Sequence, residues 1–166
     1  MSKEEPFGEV EASLEKSGRV EELIRLYETR SREVPSSDEA AHLLCRAADL
    51  ARERLKNPLR AEELFLRALV YAPGSRESLE GLRAVYEQRS DPAALAETLE
   101  RLALATPGPD AAGIYLKAGE LHETRLGRRD RAVLCYQLAS RAAPRYRPHA
   151  PGVARTHRRR RRPSSG

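Results

Sequence analysis

His42 and Cys45 stand three residues apart in the stretch AHLLC, Ala41 to Cys45. On a helix that spacing puts an imidazole and a thiol on one face, as two metal ligands would need. Zinc requires three or four donors, and no second cluster of donors lies close by in the sequence. A packed cysteine beside a polar histidine is therefore the expectation, and no metal site is assigned. His122 is followed directly by Glu123, but adjacent positions on a helix do not face one another. The chain has no HExxH, no GxSxG, no phosphate-cradling glycine loop and no CxxC. Each of those spacings supplies a metal, a nucleophile or a phosphate cradle, so no catalytic or cofactor-binding residue is expected. What remains are functions of binding.

The elements that must position any binding residue are helices. Ala, Leu, Glu and Arg fill most segments of the 166 residues, aromatic residues make up only 5 %, and there is no Trp, so a large aromatic-centred core is not expected. Cys45 and Cys135 are the two cysteines. They make no disulfide framework and suit a reducing compartment. The N-terminal stretch MSKEEPFGEV has an acidic pair and no apolar segment, so it does not read as a secretory signal. No run approaches the ~18 apolar residues of a membrane span. A cytoplasmic, non-membrane protein is the expectation.

The net charge of +5 is unevenly placed. Residues 145–166 hold eight arginines and no acid, which leaves 22 basic residues against 25 acidic ones in residues 1–144. The body is mildly acidic and the positive balance lies in the last segment.

The chain repeats itself. AEELFLRALVYAP, from Ala61 to Pro73, and AVLCYQLASRAAP, from Ala132 to Pro144, place Ala, an aromatic ring, Ala and Pro at the same offsets. A shift of 71 also aligns Ala47 with Ala118, Ala48 with Gly119, Leu50 with Leu121, Leu55 with Leu126 and Arg60 with Arg131. Pro35, Pro73, Pro107 and Pro144 mark four unit ends. Within a unit, apolar residues recur at spacings of three and four, as in Leu79, Leu82, Tyr86 and Leu95, Leu99, Leu102, which predicts two amphipathic helices per unit. Asn57-Pro58 and Asp91-Pro92 each offer an N-cap oxygen followed by proline at the first helical position. Asp38, Ser75 and Asp110 are candidate caps for the first helices of units two, three and four.

This pattern resembles the tetratricopeptide repeat, whose period of about 34 residues is half the observed shift. Phe7, Val10, Leu14, Gly18, Leu23, Tyr27 and Pro35 follow its spacing in unit one. Unit two supplies Leu44, Ala47, Ala48, Ala51, Ala61, Phe65, Ala68 and Pro73. Unit three supplies Leu79, Leu82, Tyr86, Leu95, Leu99, Leu102 and Pro107. Unit four supplies Tyr115, Ala118, Gly119, Ala132, Tyr136, Ala139 and Pro144. Units two and four carry one extra residue in the turn. Glu11, Arg83, Arg30 and Leu102 depart from the family's preference for small residues. A helical-hairpin array of another type, such as a HEAT-like solenoid, is the alternative. The resemblance implies an all-α, right-handed superhelical solenoid of antiparallel helix pairs. Its repeat domain would span 1–146, with units at about 4–37, 41–75, 76–109 and 112–146, followed by a disordered Arg-rich tail at 147–166.

Proteins of this family act as protein-interaction modules, and the first helix of each unit lines a concave face. Carrying those positions over names Asp49, Arg52, Glu53, Glu80, Glu87, Glu120 and Glu123 as a partner groove, with Glu15, Lys16, His42, Cys45, Glu77 and Leu116 among its neighbours. Acids outnumber bases, which implies a protein or peptide partner that is basic or of mixed charge. The plainer reading is a solvated acidic face that supports its own helices by i,i+4 pairs. One subfamily clamps carboxylate tails with Lys and Asn. Here Gly8, Cys45, Glu80 and Leu116 stand at the first of those positions, and a clamp of that kind is not expected.

The second functional reading rests on the tail. Arg158, Arg159, Arg160, Arg161 and Arg162 form an unbroken run that would bind nucleic acid or another polyanion through its phosphates, without sequence preference. The run lacks interleaved aromatics, so base stacking is not expected, and it would equally suit the acidic groove of its own body. Val133, Leu134, Tyr136 and Leu138 on the last helix have no later helix to cover them, which reads as an interrupted array or an end that pairs with another molecule.

Overall fold

Side chains set four of the helix starts. Ser36, Asn57, Ser75 and Asp91 accept hydrogen bonds from the backbone N–H of Glu39, Arg60, Ser78 and Ala94. Pro58 and Pro92 each occupy the start of the helix that follows, where a missing N–H leaves no bond unmade. The structure, a computed structural model, describes residues 6–144. Among them lie eight helices: α1 (Phe7–Ser17), α2 (Val20–Glu33), α3 (Ser37–Glu53), α4 (Pro58–Tyr71), α5 (Arg76–Arg89), α6 (Pro92–Leu104), α7 (Asp110–Thr124) and α8 (Arg129–Ala142). The described residues contain no strand. Two expected caps are corrected. Asp38 lies inside α3, which Ser36 caps two residues earlier. Asp110 is the first residue of α7, whose cap position is Pro109 without a side-chain bond. Asn57, Ser75 and Asp91 cap as expected. The four marker prolines fall two or three residues past the ends of α2, α4, α6 and α8.

Each helix packs on the one before and the one after it, and α3 also touches α5. The fold is a row of antiparallel helix pairs, because a single amphipathic pair cannot bury its own stripe and stacking does so. The α3–α4 pair shows how. Ala47, Ala48 and Ala51 on α3 and Ala61 and Ala68 on α4 are all fully buried. Methyl-sized side chains let the two helix backbones close up. Leu44, Leu64 and Phe65 fill what remains. The main core runs from α1 to α6, with two smaller clusters under α6, α7 and α8.

Phe65 projects from α4 onto Gly81 of α5, so it bridges to the following pair. Tyr136 behaves differently. Its ring lies over Gly119 of α7, inside its own pair.

Carboxylates on the second helices tie successive pairs together. Glu28 on α2 accepts from Arg60 and Arg67 of α4. Glu62 on α4 accepts from Tyr86 and Arg89 of α5. Burial, reinforced by that bond to Glu62, pushes the Tyr86 phenol up to about 12, so it remains a donor across the neutral range. Glu100 on α6 holds His122 of α7 and Arg131 of α8. The residues that depart from the family pattern have partners too. Glu11 accepts from the Tyr27 hydroxyl at 2.6 Å and from Arg46 at 2.5 Å, and Leu102 is buried in the core.

The two long turns, 54–57 and 125–128, are copies at the same shift of 71. Leu55 and Leu126 donate to the carbonyls of Leu50 and Leu121, and Asn57 and Arg128 donate to those of Ala51 and His122. Each turn passes through a left-handed residue, Lys56 at φ 53° and Gly127 at φ 64°. A side chain there costs about 1–2 kcal/mol, and glycine returns part of that through its greater unfolded-state freedom. Lys56→Gly is expected to stabilise the chain by about 0.5 kcal/mol. It should read as a higher urea midpoint with unchanged slope.

Val133 and Leu134 are exposed on α8, as expected, whereas Tyr136 and Leu138 are half-buried. A second exposed apolar stripe, Leu59, Leu66 and Val70 on α4, was not anticipated.

Candidate functional site

The first helices of the pairs carry charged side chains into three shallow hollows. The hollow between α1 and α3 is lined by Glu15, Arg46, Asp49 and Glu53, with Tyr27 and Leu50 at its base. Between α3 and the start of α5 lie Asp38, His42 and Glu77, closed by the turn from Tyr71 to Ser75. Between α5 and α7, Arg76, Glu80, Arg83, Asp110 and Lys117 surround Ile114. The first hollow has three acids and one base, while the third has two acids and three bases. The polarity therefore changes along the row.

Asp49 and Glu53 share the first hollow, and Arg52 bridges them at 2.9 and 2.8 Å. Glu80 lines the third hollow. Glu87 lines a smaller one beside Leu121 and Arg125. Arg83 joins Glu80 and Glu87, at 2.8 and 2.9 Å. Apart from the adjacent Arg52 and Glu53, these are the i,i+3 and i,i+4 pairs of a self-supporting helix face, so four of the six expected acids already have an arginine partner. Glu120 and Glu123 line none of these hollows. Glu123 instead accepts from the Tyr136 hydroxyl at 2.8 Å. Arg158, Arg159, Arg160, Arg161 and Arg162 lie outside the described residues.

His42 and Cys45 part company. His42 is exposed and donates through Nδ1 to Glu77, 3.0 Å away. Cys45 is fully buried, so it does not line the groove. Its thiol meets the Ser78 hydroxyl at 3.1 Å. Burial pushes that thiol up to about 12 although the Ser78 hydroxyl pulls it down. Burial also raises Cys135, with Glu100 adding to the rise. Neither thiol is a nucleophile at neutral pH.

The constellation that sequence reasoning missed is His122, Cys135 and Glu100. His122 does not face Glu123. It is buried and donates through Nε2 to Glu100 at 2.6 Å. Cys135 is also fully buried, and one ligand atom from each of the three residues lies within 4.8 Å of the others. A signal for it existed in the repeat. At the shift of 71, His122 and Cys135 stand where the first copy has Ala51 and Leu64, both fully buried.

No helix among the described residues is long and apolar enough to cross a membrane. No family model and no curated protein matches the chain. Solved structures do. The crystal structure of MamA is similar at a TM-score of 0.53 and 18 % identity, covering 81 % of this chain and 75 % of that one. The crystal structure of BtubC from P. vanneervenii is similar at a TM-score of 0.51 and 18 % identity, covering 96 % of this chain and 67 % of that one. At such identities the likeness concerns the backbone alone, and the backbone is an all-α, tetratricopeptide-like solenoid of antiparallel helix pairs.

Proposed function

We propose that this chain is a non-enzymatic scaffold of the cytoplasm. On this reading it holds an extended segment of a partner protein across the first helices of its pairs. The observation that carries the reading is the row of hollows between α1, α3, α5 and α7, open to solvent and lined by charged side chains around small apolar bases. Fold alone does not confer a function, but a row of this kind suits an extended chain better than a compact small molecule. The change of polarity sets the partner's direction. A basic stretch fits the acidic hollow at α1 and α3, and an acidic or polar stretch fits the one at α5 and α7.

A test needs only a probe of defined charge. A fluorescent peptide with a Lys/Arg-rich half, an apolar centre and an acidic half should bind the full chain. The double variant Asp49→Lys/Glu53→Lys should weaken it at least ~10-fold, since like charges are then opposed in the first hollow. Equal affinity for the two proteins would remove the groove from consideration.

The second reading is polyanion binding through Arg158–Arg162, favoured by the eight arginines and absent acids of residues 145–166. The two separate by salt. Phosphate binding by five arginines weakens steeply as salt rises, whereas a segment seated partly on apolar surface weakens less. A chain cut back to residues 1–146 that loses all partners, or partners released by nuclease, would favour the tail.

A further inference from the structure

We propose that Glu100, His122 and Cys135 form a binding site for one divalent transition-metal ion, with zinc the best match, held between α6, α7 and α8.

Three helices in succession each contribute one donor to this point. One ligand atom from each residue lies within 4.8 Å of the other two. That spacing lets small side-chain rotations converge on one ion at the ~2.0–2.3 Å bond lengths of zinc. The donors are an imidazole nitrogen, a sulfur and a carboxylate oxygen. Thiolate disfavours magnesium and calcium, and this mixed set suits zinc with a fourth position left to water.

The burial pattern argues that the donors are not there for packing. His122 and Cys135 occupy the two positions that the first copy of the repeat fills with Ala51 and Leu64. A solenoid interface built from hydrocarbon has thus received an imidazole and a thiol in its second copy. The imidazole is only partly satisfied. Nε2 donates to Glu100, but Nδ1 is buried and has no hydrogen-bond partner. Buried polar groups are nearly always paired. A buried imidazole that meets a thiol and a carboxylate while its other ring nitrogen stays bare is poor packing and a good ligand set.

Charge and access are consistent with an ion. Thiolate and carboxylate together neutralise a divalent cation, and binding releases the thiol proton: Cys–SH and M²⁺ give Cys–S–M⁺ and H⁺. Glu100 is the donor nearest to solvent. Its second oxygen is held by Arg131, whose side chain is half exposed and can swing away as the ion enters.

Cobalt(II) is the probe, because a thiolate bound to it gives a sulfur-to-metal charge-transfer absorption that histidine or carboxylate sites do not. The full-length chain, reduced and metal-free, should develop this band with one equivalent of cobalt, and zinc should abolish it. Cys135→Ser should lose the band, and Cys45→Ser should keep it. Glu100→Gln, which keeps the size of the side chain and a carbonyl acceptor for His122, should weaken zinc binding by at least ~10-fold in competition with a chromophoric chelator. Absence of the band in the wild-type chain, its survival in Cys135→Ser, or unchanged zinc affinity in Glu100→Gln would each overturn the proposal.

Discussion

Phe65→Ala is expected to destabilise the chain by about 3–5 kcal/mol, the range for emptying a large aromatic side chain from a packed interior. Phe65 is essentially unexposed and sits in the main core. Its ring reaches from α4 to α5, and so it holds one helix pair against the next. In a one-dimensional array, an interface lost in the middle also lowers the coupling between the halves. The expected result is therefore twofold. The denaturation midpoint falls, and amide exchange in α5–α8 separates from that in α1–α4, whereas in the wild type the two halves are expected to exchange as one slow set. A loss below ~1 kcal/mol would mean that the ring packs too loosely to bridge the pairs.

Gly81→Ala attacks the same contact from the other side. A Cβ at Gly81 would come closer than 3.0 Å to three atoms of the Phe65 ring. Real structures do not tolerate that distance, so either the ring or α5 must shift. Because Phe65 is enclosed on all sides, the cost is expected at about 1–3 kcal/mol, typical of overpacking. Gly119→Ala makes the matching clash with Tyr136, also inside 3.0 Å. Tyr136 is only half-buried, so its ring can swing outward, and the cost should be under ~1 kcal/mol. Combining Gly81→Ala with Phe65→Ala gives an internal check. The added methyl then enters the space the ring has left, and the double variant should be more stable than the two single effects predict. Simple additivity would place the two residues out of contact.

Much of the fold was legible because it is written twice. The shift of 71 aligned residues that prove to share turns and packing roles, such as Leu55 with Leu126 and Ala61 with Ala132. Asn57 and Asp91 were legible as caps because proline follows each, which fixes the first helical residue. Asp38 and Asp110 misled because an acid within the first turn favours a helix start through its charge without being the cap. Ser36 lay just upstream of Asp38, and which of them takes the extended cap conformation depends on the path out of Pro35.

The candidate surface was legible in part. The helix positions of Asp49, Glu53 and Glu80 could be read from the repeat, and so could the Arg83 bridge to Glu80 and Glu87, since it lies within one helix. Cys45 was misplaced because a position that faces outward in one unit turned inward against Ser78 of the next pair. The meeting of Glu100, His122 and Cys135 was hidden because it joins three helices at separations no local pattern spans. Only a residue-by-residue comparison of the two copies would have exposed His122 opposite Ala51.

The duplicated turns at 54–57 and 125–128 also bear on how such a chain changes length. A crossover between equivalent points of the two turns removes 71 residues, the distance from Leu55 to Leu126. It joins α3 to α8 through a bend that both flanking helices already make. The small residues that α3 presents to α4 would then meet Ala132 and Ala139 in place of Ala61 and Ala68. Unequal recombination at this site thus deletes or inserts whole helix pairs in register, and the molecule behaves as a ruler whose marks can be added without redrawing it.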